Sequence, residues 1–381
     1  MLQELPLGQQ NNFTTKQYSK QISNFRCPPI GEKELLDIFN TLKNKWSSGY
    51  DEVPIKIIKL AKVPLIKPLL HLVNSSLISG IFPSKLKISR VVPVLKKGDQ
   101  TDIQNYRPVS ILPSTSKIFE KAMYIRLTEH LEKNELFDEE QHGFRKNRST
   151  TTALVSFTES LIESIDKKNK VAGIFMDLSK AFDSISHSKL VKKLQNIGIK
   201  NNYLKWFESY LSNRHQFVEI SKTQNNRISK FKSKLQRTQY GVPQGSILGP
   251  LLFICYIQDM PGCLNRLNGI KNELCLYADD SNLIMSAKTS LELELASFIE
   301  MSKIQNFFLD NGLILNMQKT NFISFGTKQN RNISEIQICI DNEFINETDK
   351  IKFLGLHVDK HLTWDSHVDH IIKKLTPVFM L

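Results

Sequence analysis

Apolar residues recur every three or four positions through much of the chain, the spacing that buries one face of a helix. Glycine, serine or asparagine often marks the end of such a stretch, and Pro54 stands at a first-turn position. The pattern predicts helices separated by shorter strands. The predicted helices run from Glu32 to about Ser47, Pro54 to Leu60, Ile66 to Ile78, Ser114 to Lys133, Thr150 to Ile165, Ser179 to Asn196, Ser246 to Asp259 and Leu291 to Asn311, with another from Trp364.

Runs of β-branched or alternating residues predict strands between these helices. Val171 to Met176 is apolar throughout, as expected of a strand buried on both faces. Pro93 places its own strand at an edge or an end of a sheet. The predicted strands cover Ile88 to Leu95, Val171 to Met176 and Asn321 to Phe325, with pairs around Ile336 to Phe344 and Lys352 to Val358 and hairpins at Phe217 to Arg237 and Leu274 to Ser286.

The hairpin at Leu274 to Ser286 carries two adjacent carboxylates, Asp279 and Asp280, at its tip. Two neighbouring negative charges repel each other unless a positive group lies beside them. A divalent cation would meet this need, whereas the alternative is an ordinary turn rich in aspartate. A third carboxylate, Asp177, ends the buried strand. It is either a helix cap or a functional group facing a cleft, and Ser179 is the better cap for the helix predicted to follow.

These three acids occur in a chain with 51 Lys and Arg residues against 38 Asp and Glu residues. If Asp177, Asp279 and Asp280 approach one another in so basic a protein, they predict a cation site. Two Mg²⁺ ions held by such carboxylates activate an attacking hydroxyl and stabilise a leaving phosphate oxygen. That is the chemistry of phosphoryl transfer, in which positioning and charge neutralisation carry most of the catalysis.

Three further segments are candidates for ligand contacts. Gln141 to Thr150 places three cations beside Ser149, which can cap the next helix, so this loop is either a phosphate site or a solvated basic loop. Lys222 to Arg237 has six basic residues and no acid, and it is either a flexible charged loop or a contact with a phosphate backbone. Gly241 to Ser246 lets the backbone approach something flat, or forms only a tight turn.

Length and composition narrow the class of protein. A chain of 381 residues has room for two or three lobes, and a net charge of +13 favours a polyanionic partner, either nucleic acid or an acidic membrane surface. Five cysteines without a Cys-x-x-Cys pair predict reduced thiols in an intracellular protein, with neither disulfides nor zinc. The polar amino terminus lacks a signal peptide, and the most apolar run, Ile247 to Ile257, is too short to span a bilayer, so a soluble protein is expected.

The motifs named so far belong to longer blocks that follow one another along the chain. The blocks are FMDLSKAFD (Phe175 to Asp183), YGVPQGSILGPLLF (Tyr240 to Phe253), LYADD (Leu276 to Asp280), LNMQKTNFISF (Leu315 to Phe325) and KFLGLHVD (Lys352 to Asp359), preceded by NYRPVSILPSTSKIFEK, QHGFRKNRST, and KWSSGYDEVP with GIFPSKLKISRVVPVLKKGD. In this order the first five blocks resemble the successive polymerase motifs of reverse transcriptases of non-LTR (LINE-type) retrotransposons, most of all the jockey-like group. NYRPVSILPSTSKIFEK and QHGFRKNRST resemble that family's fingers motifs, and the two blocks that begin with KWSSGYDEVP and GIFPSKLKIS resemble its amino-terminal extension. The similarity spans roughly residues 32 to 370.

The resemblance implies an α+β fold, a right-hand polymerase with fingers and palm, in which helices flank an antiparallel palm sheet. Residues 1–31 are then a polar leader or linker and residues 32–95 an amino-terminal helical extension of the fingers. Residues 96–358 form the reverse transcriptase fingers and palm, and residues 359–381 form a truncated start of the thumb. Relatives usually carry an endonuclease and a complete thumb, so we expect the chain to be a fragment of a longer reading frame or a decayed element.

The resemblance also implies roles for individual residues. It makes Asp177, Asp279 and Asp280 the catalytic carboxylates and ligands of two Mg²⁺ ions, with Mn²⁺ as a substitute. Phe182 matches a steric gate that crowds the sugar 2′-hydroxyl, for which the alternative is a core side chain, and the same alternative applies to Leu354. The remaining implied nucleotide contacts are Arg145, Gln244, Gly245 and Lys319, and the implied primer and template contacts are Tyr277, Phe353, Leu354 and Gly355.

The expected function is that of an RNA-directed DNA polymerase, which extends a primer 3′-hydroxyl with dNTPs on an RNA template. One alternative is a non-catalytic RNA-binding protein that keeps the fold, and another is an intron maturase, against which the residues around Arg107 and the absence of a maturase-like tail argue. The implied partners are an RNA template, a DNA primer and dNTPs, without a membrane. The expected location is intracellular, in the nucleus or in a cytoplasmic ribonucleoprotein.

Overall fold

A computed structural model describes residues 22–224, 227–265, 269–328 and 336–379. Residues 1–21 of the predicted leader, and residues 225–226 of the predicted hairpin at Phe217 to Arg237, lie outside these ranges. The described chain forms a mixed α and β structure with two compact units. Unit 1 contains residues 138–181 and 257–379, and unit 2 contains residues 22–137 and 182–256.

The helices of the described residues fall between Glu32 and Phe379. They are α1 (Glu32–Thr41), α2 (Ile55–Leu60), α3 (Lys62–Ser79), α4 (Ser116–Lys133), α5 (Thr150–Asp166), α6 (His187–Asn196), α7 (Asn201–Leu211), α8 (Gly249–Ile257), α9 (Ser290–Asp310) and α10 (Asp365–Phe379). In the part of the chain that the structure describes, none of these is both long and apolar enough to cross a lipid bilayer.

The strands occupy the stretches between the helices. They are β1 (Ile88–Leu95), β2 (Tyr106–Ile111), β3 (Lys170–Met176), β4 (Arg214–Gln224), β5 (Arg227–Lys232), β6 (Gln236–Thr238), β7 (Lys271–Tyr277), β8 (Asp280–Ala287), β9 (Asn321–Phe325), β10 (Cys339–Ile340), β11 (Glu343–Phe344), β12 (Asn346–Glu347), β13 (Lys350–Phe353) and β14 (Leu356–Asp359).

Unit 1 is built on a five-stranded sheet in the order β12-β9-β3-β8-β7. The central strand β3 pairs antiparallel with both β8 and β9, and every residue from Val171 to Met176 is buried. An aromatic cluster packs on the sheet, with the ring of Phe157 on α5 lying 5.7 Å from Phe175 and 5.2 Å from Phe353, centre to centre. The continuous apolar run of β3 therefore reflects burial on both faces, as its sequence predicts.

Unit 2 contains a second sheet in the order β2-β1-β4-β5, with β6 also paired to β4. Its core lies among the helices, where the ring of Phe82 packs edge-on against Trp206 at 5.3 Å and Tyr210 at 5.0 Å. Pro93 lies in the half of β1 that only β2 covers, since β4 pairs with β1 only from Ile88 to Val91. This agrees with the edge position predicted for that proline, which has no backbone N–H to donate.

Most predicted elements are confirmed, but several boundaries are wrong, and helix α3 starts at Lys62 rather than at Ile66. The first helix ends at Thr41 rather than near Ser47. No helix begins at Ser179, because the chain turns there and α6 starts only at His187. The predicted helix at Ser246 starts three residues later as α8. Strand β2, which contains Pro108, had no predicted counterpart.

All five cysteines have free thiols. Burial raises the pKa of Cys27 to about 11 and that of Cys255 and Cys275 to about 12. At neutral pH these three side chains are therefore protonated and act as small apolar groups.

Candidate functional site

The Asp-Asp pair lies at a tight turn, as the sequence predicts. Strands β7 and β8 pair up to Tyr277 opposite Asp280, so Ala278 and Asp279 alone form the connection. Ala278 has a φ of 57°, a backbone conformation that a residue with a side chain seldom adopts. A strained residue of this kind persists only where its surroundings hold it in place.

A buried glutamine holds this turn. The side-chain oxygen of Gln141 accepts hydrogen bonds from the backbone N–H groups of Ala278, at 3.1 Å, and Gly143, at 2.8 Å. The backbone of the same segment pairs with β7, since His142 N–H donates to the carbonyl of Leu276 at 2.8 Å. Gln141 had no predicted role, because nothing in the linear order pairs it with a residue 137 positions away.

Asp177 reaches the same edge of the sheet through β3. The last pair between β3 and β8 joins Met176 to Ser281. Asp177 and Asp280 each lie one residue beyond that pair, on β3's side and on β8's side. Asp177, which follows β3, and Asp280, which begins β8, are therefore neighbours. A cap for a following helix is excluded for Asp177, because no helix follows within the described residues up to His187.

The backbone of Asp177 is fixed by the loop that precedes β9. Its carbonyl accepts from the N–H of Asn316 at 2.8 Å, and its own N–H donates to the hydroxyl of Thr320 at 3.4 Å. The same loop brings Lys319 close, with its Nζ 3.3 Å from Oδ2 of Asp177. Both side chains are well exposed, at 65% for Lys319 and 43% for Asp177, so solvent screens this ion pair.

Negative charge accumulates at this edge of the sheet. Although Asp280 is open to solvent on one side, its pKa is raised to about 6, mainly because the surrounding protein removes part of its hydration and secondly because of the charges of Asp279 and Asp177. Carboxylate oxygens are the ligands that Mg²⁺ prefers. Within the described ranges, however, no three acidic, histidine or cysteine side chains converge as a ready-made metal group.

The basic loop before α5 has the predicted cap. The Ser149 hydroxyl accepts from the N–H of Thr152, and the Thr152 side chain accepts in turn from the N–H of Ser149. Arg145 is half-buried, and its Nη1 donates to the carbonyls of Asp138 at 2.6 Å and Gln141 at 3.3 Å. In this arrangement the guanidinium helps to hold its own loop.

Phe182 belongs to unit 2 and lies in a turn rather than in the predicted helix. The preceding chain continues strand-like pairing past Asp177, since Ser179 N–H donates to the carbonyl of Ile314 at 2.8 Å. Ser179 caps no helix, because the next helix begins only at His187. The half-buried ring of Phe182 packs on that of Phe253, 4.9 Å away between centres. Its carbonyl accepts from the N–H of Val242 at 2.9 Å, which fixes the backbone beneath the ring.

The glycine-rich segment of unit 2 packs against protein. The N–H of Ser110 in β2 donates to the carbonyl of Gln244 at 2.9 Å, while the Gln244 side chain donates to Oδ2 of Asp183 at 2.9 Å. Gly245 has a φ of 128°, and an added Cβ atom would collide with the carbonyl oxygen of Ser110. Glycine is required here for this contact with β2, which the linear order of residues does not reveal.

The predicted primer contacts lie at the turn between β13 and β14. Leu354 and Gly355 have φ values of 47° and 94°, as in a two-residue hairpin turn in which both central residues are left-handed. The Phe353 ring is buried, and Leu354 packs partly against the same core. The core alternative considered for Leu354 thus has support, and the Phe353 side chain is not available to a ligand. Tyr277 is also partly buried against this core.

The structure therefore gathers the predicted residues into separate groups. Unit 1 brings together the three carboxylates and one lysine, and unit 2 brings together an aromatic ring and the glycine-rich segment. The first group consists of Asp177, Asp279, Asp280 and Lys319, and the second of Phe182, Gln244 and Gly245. Thr320 and Asp183 are further supporting residues to which the sequence pattern gave no role.

Comparison with known proteins places this geometry in a family. Residues 94–358 match the family model described as reverse transcriptase (RNA-dependent DNA polymerase). The chain is 28% identical over 369 residues to a probable RNA-directed DNA polymerase from transposon BS of Drosophila melanogaster, a match that covers 93% of this chain and 39% of that protein.

Two more relatives are similar over most of the chain. The RNA-directed DNA polymerase from mobile element jockey of Drosophila funebris is 27% identical, with 89% of this chain and 36% of the relative covered. A Pol polyprotein from the type-1 retrotransposable element R2 of Popillia japonica is 24% identical, with 86% and 44% covered. The chain thus spans roughly two fifths of the length of the curated relatives it matches. Since the family model covers more than half of the chain, the chain belongs to the reverse transcriptase (RNA-dependent DNA polymerase) family.

Proposed function

We propose that this chain is the polymerase part of an RNA-directed DNA polymerase derived from a non-LTR retrotransposon. It extends the 3′-hydroxyl of a DNA primer with dNTPs on an RNA template. The observation that carries the proposal is the register of unit 1, in which Asp177 stands one residue beyond the last β3–β8 pair, beside Asp280. Carboxylates gathered in a basic protein suit phosphoryl transfer on a polyanionic substrate.

The domain assignment follows from this proposal. The antiparallel strands of unit 1 and their helices act as the palm, and unit 2 supplies the fingers. Residues 96–358 are the fingers and palm of a right-hand polymerase, residues 32–95 extend the fingers, and residues 359–381 begin a thumb. Residues 1–31 act as a leader or linker.

The donor set fits Mg²⁺, because three carboxylates offer the hard oxygen ligands that this ion takes. Asp177, Asp279 and Asp280 would hold it, with Mn²⁺ accepted by the same oxygens. When bound, a pair of such ions would lower the pKa of the primer hydroxyl and neutralise charge on the leaving pyrophosphate. The neighbourhood of Asp280 supports this assignment, since the charges of Asp279 and Asp177 add to the effect of burial in raising its pKa.

The chain's own side chains would select and orient the nucleotide. Phe182 would exclude a 2′-hydroxyl by contact, since its ring packs on that of Phe253 and cannot easily move away. Lys319 would exchange its ion pair with Asp177 for phosphate oxygens and donate a proton to pyrophosphate. Arg145 would likewise exchange the carbonyls of its own loop for the triphosphate.

The remaining predicted contacts would act mainly through the backbone. Gln244 and Gly245, fixed on β2, would position the template and the incoming base. The turn at Leu354 and Gly355 would support the primer with its backbone, because the Phe353 ring is buried in the core. Tyr277 would contact the primer beside the acidic turn. With these substrates, the protein would act in the nucleus or in a cytoplasmic ribonucleoprotein.

The test is incorporation of dTTP on a poly(rA) template primed with oligo(dT). The wild-type protein should incorporate nucleotide with Mg²⁺ or Mn²⁺, and Asp279→Ala should not. A matched control is Asp166→Ala, which removes an exposed carboxylate at the end of α5 in the same unit. Equal incorporation by wild type and Asp279→Ala would refute the proposal.

A second candidate is a non-catalytic RNA-binding protein with the same fold. It is favoured by the ion pair of Asp177 with Lys319, in which a cation of the protein itself lies beside one of the three carboxylates. This alternative predicts salt-sensitive RNA binding with no incorporation in either metal. The assay above, run beside an RNA-binding measurement, separates the two functions.

A further inference from the structure

The described residues of the basic segment Lys222 to Arg237 include paired strands of unit 2. Strand β1 pairs with β4 only at residues 215–218, so beyond that point β4 and β5 pair with each other alone, from Glu219 opposite Lys232 to Gln224 opposite Arg227. Every residue of β5 is exposed. The segment is thus an ordered two-stranded surface, and the flexible loop considered from the sequence is excluded for its described residues.

The positive charge of this hairpin is not balanced locally. The one carboxylate of β4, Glu219, is buried and already lies 2.9 Å from Arg90 and 3.5 Å from Lys232. Five other cations between Lys222 and Arg237 are exposed. None of them forms an ion pair with another described residue. They are Lys222, Arg227, Lys230, Lys234 and Arg237. Uncompensated charge of one sign attracts a polyanion.

One face of the hairpin combines this charge with exposed apolar side chains. Ile220 pairs across the strands with Phe231, and they are 51% and 54% exposed. Because side chains alternate along a strand, Lys222 and Arg227 lie on the same face as this pair. The face therefore presents a flat ring beside two cations. This is the combination by which proteins bind single-stranded nucleic acid, with bases stacked on the ring and phosphates held by the cations.

Two alternative roles suit the hairpin less well. Lysine on an edge strand prevents pairing with other chains, but that role does not require an exposed aromatic ring among the cations. A protein partner would cover the apolar pair, but it would also have to supply acidic groups for the cations around it. A nucleic acid supplies both kinds of contact in every nucleotide, because its base covers the apolar pair and its phosphate binds the cations.

We propose that the face formed by Ile220, Lys222, Arg227 and Phe231 binds single-stranded RNA. A base stacks on the Phe231 ring, while Lys222 and Arg227 hold the neighbouring phosphates. The choice of RNA over DNA rests on the proposed function, in which RNA is the single-stranded substrate. The contact itself is a binding step and does not depend on nucleotide incorporation.

The experiment measures binding of a labelled oligo(U) of about 20 nucleotides, a length that covers one such site with room to spare. Fluorescence anisotropy is recorded at several KCl concentrations. The double variant Lys222→Ala/Arg227→Ala should bind more weakly, and the slope of log affinity against log salt should become shallower by about 1.4, at roughly 0.7 for each phosphate that is no longer neutralised. Lys33→Ala/Lys67→Ala, two exposed lysines on α1 and α3, is the control with the same change in net charge.

The aromatic contact is tested with Phe231→Leu. Leucine keeps the apolar pair with Ile220, so the hairpin stays folded, but it has no flat ring. Affinity for oligo(U) should fall about fivefold or more, with the salt slope unchanged. A duplex RNA of equal charge should bind this variant as it binds wild type, because its bases are not available for stacking.

Equal affinity and equal salt slope for the hairpin double variant and the lysine control would overturn the inference, and the face would then serve another partner, such as a protein. The binding measurement does not require the protein to incorporate nucleotide, so its outcome can be judged separately from the proposed function. Asp279→Ala should bind oligo(U) as wild type does, and the hairpin double variant should keep its kcat for incorporation while its KM for template rises. A protein that binds RNA through the hairpin but incorporates no nucleotide would refute the proposed function alone.

Discussion

Gln141 is the single residue on which the geometry of the acidic turn depends most directly. Its side-chain oxygen accepts from two backbone N–H groups, those of Ala278 and Gly143, and it is itself almost fully buried. Without this acceptor, both N–H groups would be buried without a partner, and Ala278 would lose the side-chain contact that supports its left-handed conformation.

Replacing Gln141 with methionine keeps the volume and removes the acceptor. We expect the free energy of unfolding to fall by about 1–3 kcal/mol, the cost of leaving a buried donor unpaired. Nucleotide incorporation should fall by up to about a hundredfold, because a shift of the turn by an ångström displaces Asp279. Urea denaturation and primer extension measure the two effects. Gln195→Met, exposed on α6, should change neither, and full activity of Gln141→Met would contradict the expected role.

Phe182 gives a second prediction for a single residue. Its ring packs at 4.9 Å on the buried ring of Phe253, which limits its movement. Phe182→Ala should raise the efficiency of rUTP relative to dTTP incorporation by about tenfold or more, a free-energy difference of about 1.4 kcal/mol. The ratio of kcat/KM for the two nucleotides is the measurement. An unchanged ratio would show that Phe182 is a core side chain only.

At the scale of elements, helix α4 anchors the segment that leads into α8. Glu120 is fully buried, and its carboxylate accepts from the hydroxyl of Ser116 at 2.8 Å and from the backbone N–H of Ile247 at 2.6 Å. These contacts fix the backbone that follows the glycine-rich segment against α4. The N–H groups of Ile247 and Leu248, just before α8, thus find their acceptor on α4.

The anchor should make the stability of the protein depend on pH. Burial raises the pKa of the Glu120 carboxyl above its ordinary value of 4.5, so the folded state binds its proton more tightly than the unfolded state does. Its contribution to stability is therefore full below pH 4.5 and is lost as pH rises through the folded-state pKa.

Glu120→Gln cannot titrate, so we expect wild type to lose stability relative to this variant as the pH rises above 4.5. Urea denaturation midpoints at several pH values are the measurement, with Glu129→Gln, exposed on the same helix, as the control. A difference between wild type and Glu120→Gln that stays constant with pH would show that the pKa is not raised.

At the scale of the whole molecule, the excess of positive charge governs RNA binding. With a net charge of +13 and contacts to about five phosphates, affinity for single-stranded RNA should fall about a hundredfold between 50 and 200 mM KCl. Filter binding or anisotropy across this range measures the slope. An affinity independent of salt would mean that base contacts, not charge, dominate the interaction.

Removal of metal separates binding from chemistry in the whole protein. EDTA should abolish incorporation, because the three carboxylates then repel one another and the phosphates, but RNA binding through basic surfaces should persist. The two are measured in parallel, with Mg²⁺ added back to restore incorporation. Incorporation that persists in EDTA would argue against the assignment of Asp177, Asp279 and Asp280 as metal ligands.

Local patterns predicted much of this molecule. The strands at β1, β3 and β9 and the Ser149 cap are confirmed, because runs of apolar and β-branched residues and capping side chains leave a signature within a few residues. The prediction of a helix from Ser179 is wrong because a distant partner, and not the local pattern, decides the structure there. Its first residues pair with the segment at Ile314, more than a hundred positions away, and no local pattern reports such a partner.

The sequence by itself determined the chemistry available to this protein: carboxylates at the end of a buried strand and at a hairpin tip, an excess of cations, and the period that makes each segment a helix or a strand. The tertiary structure alone decided that Asp177 stands beside Asp280, that Gln141 holds the turn, and that Gly245 is needed for contact with β2. The physical reason is strand register, which is set by partners far away in the chain. A shift of one residue would turn every side chain of β3 to the other face.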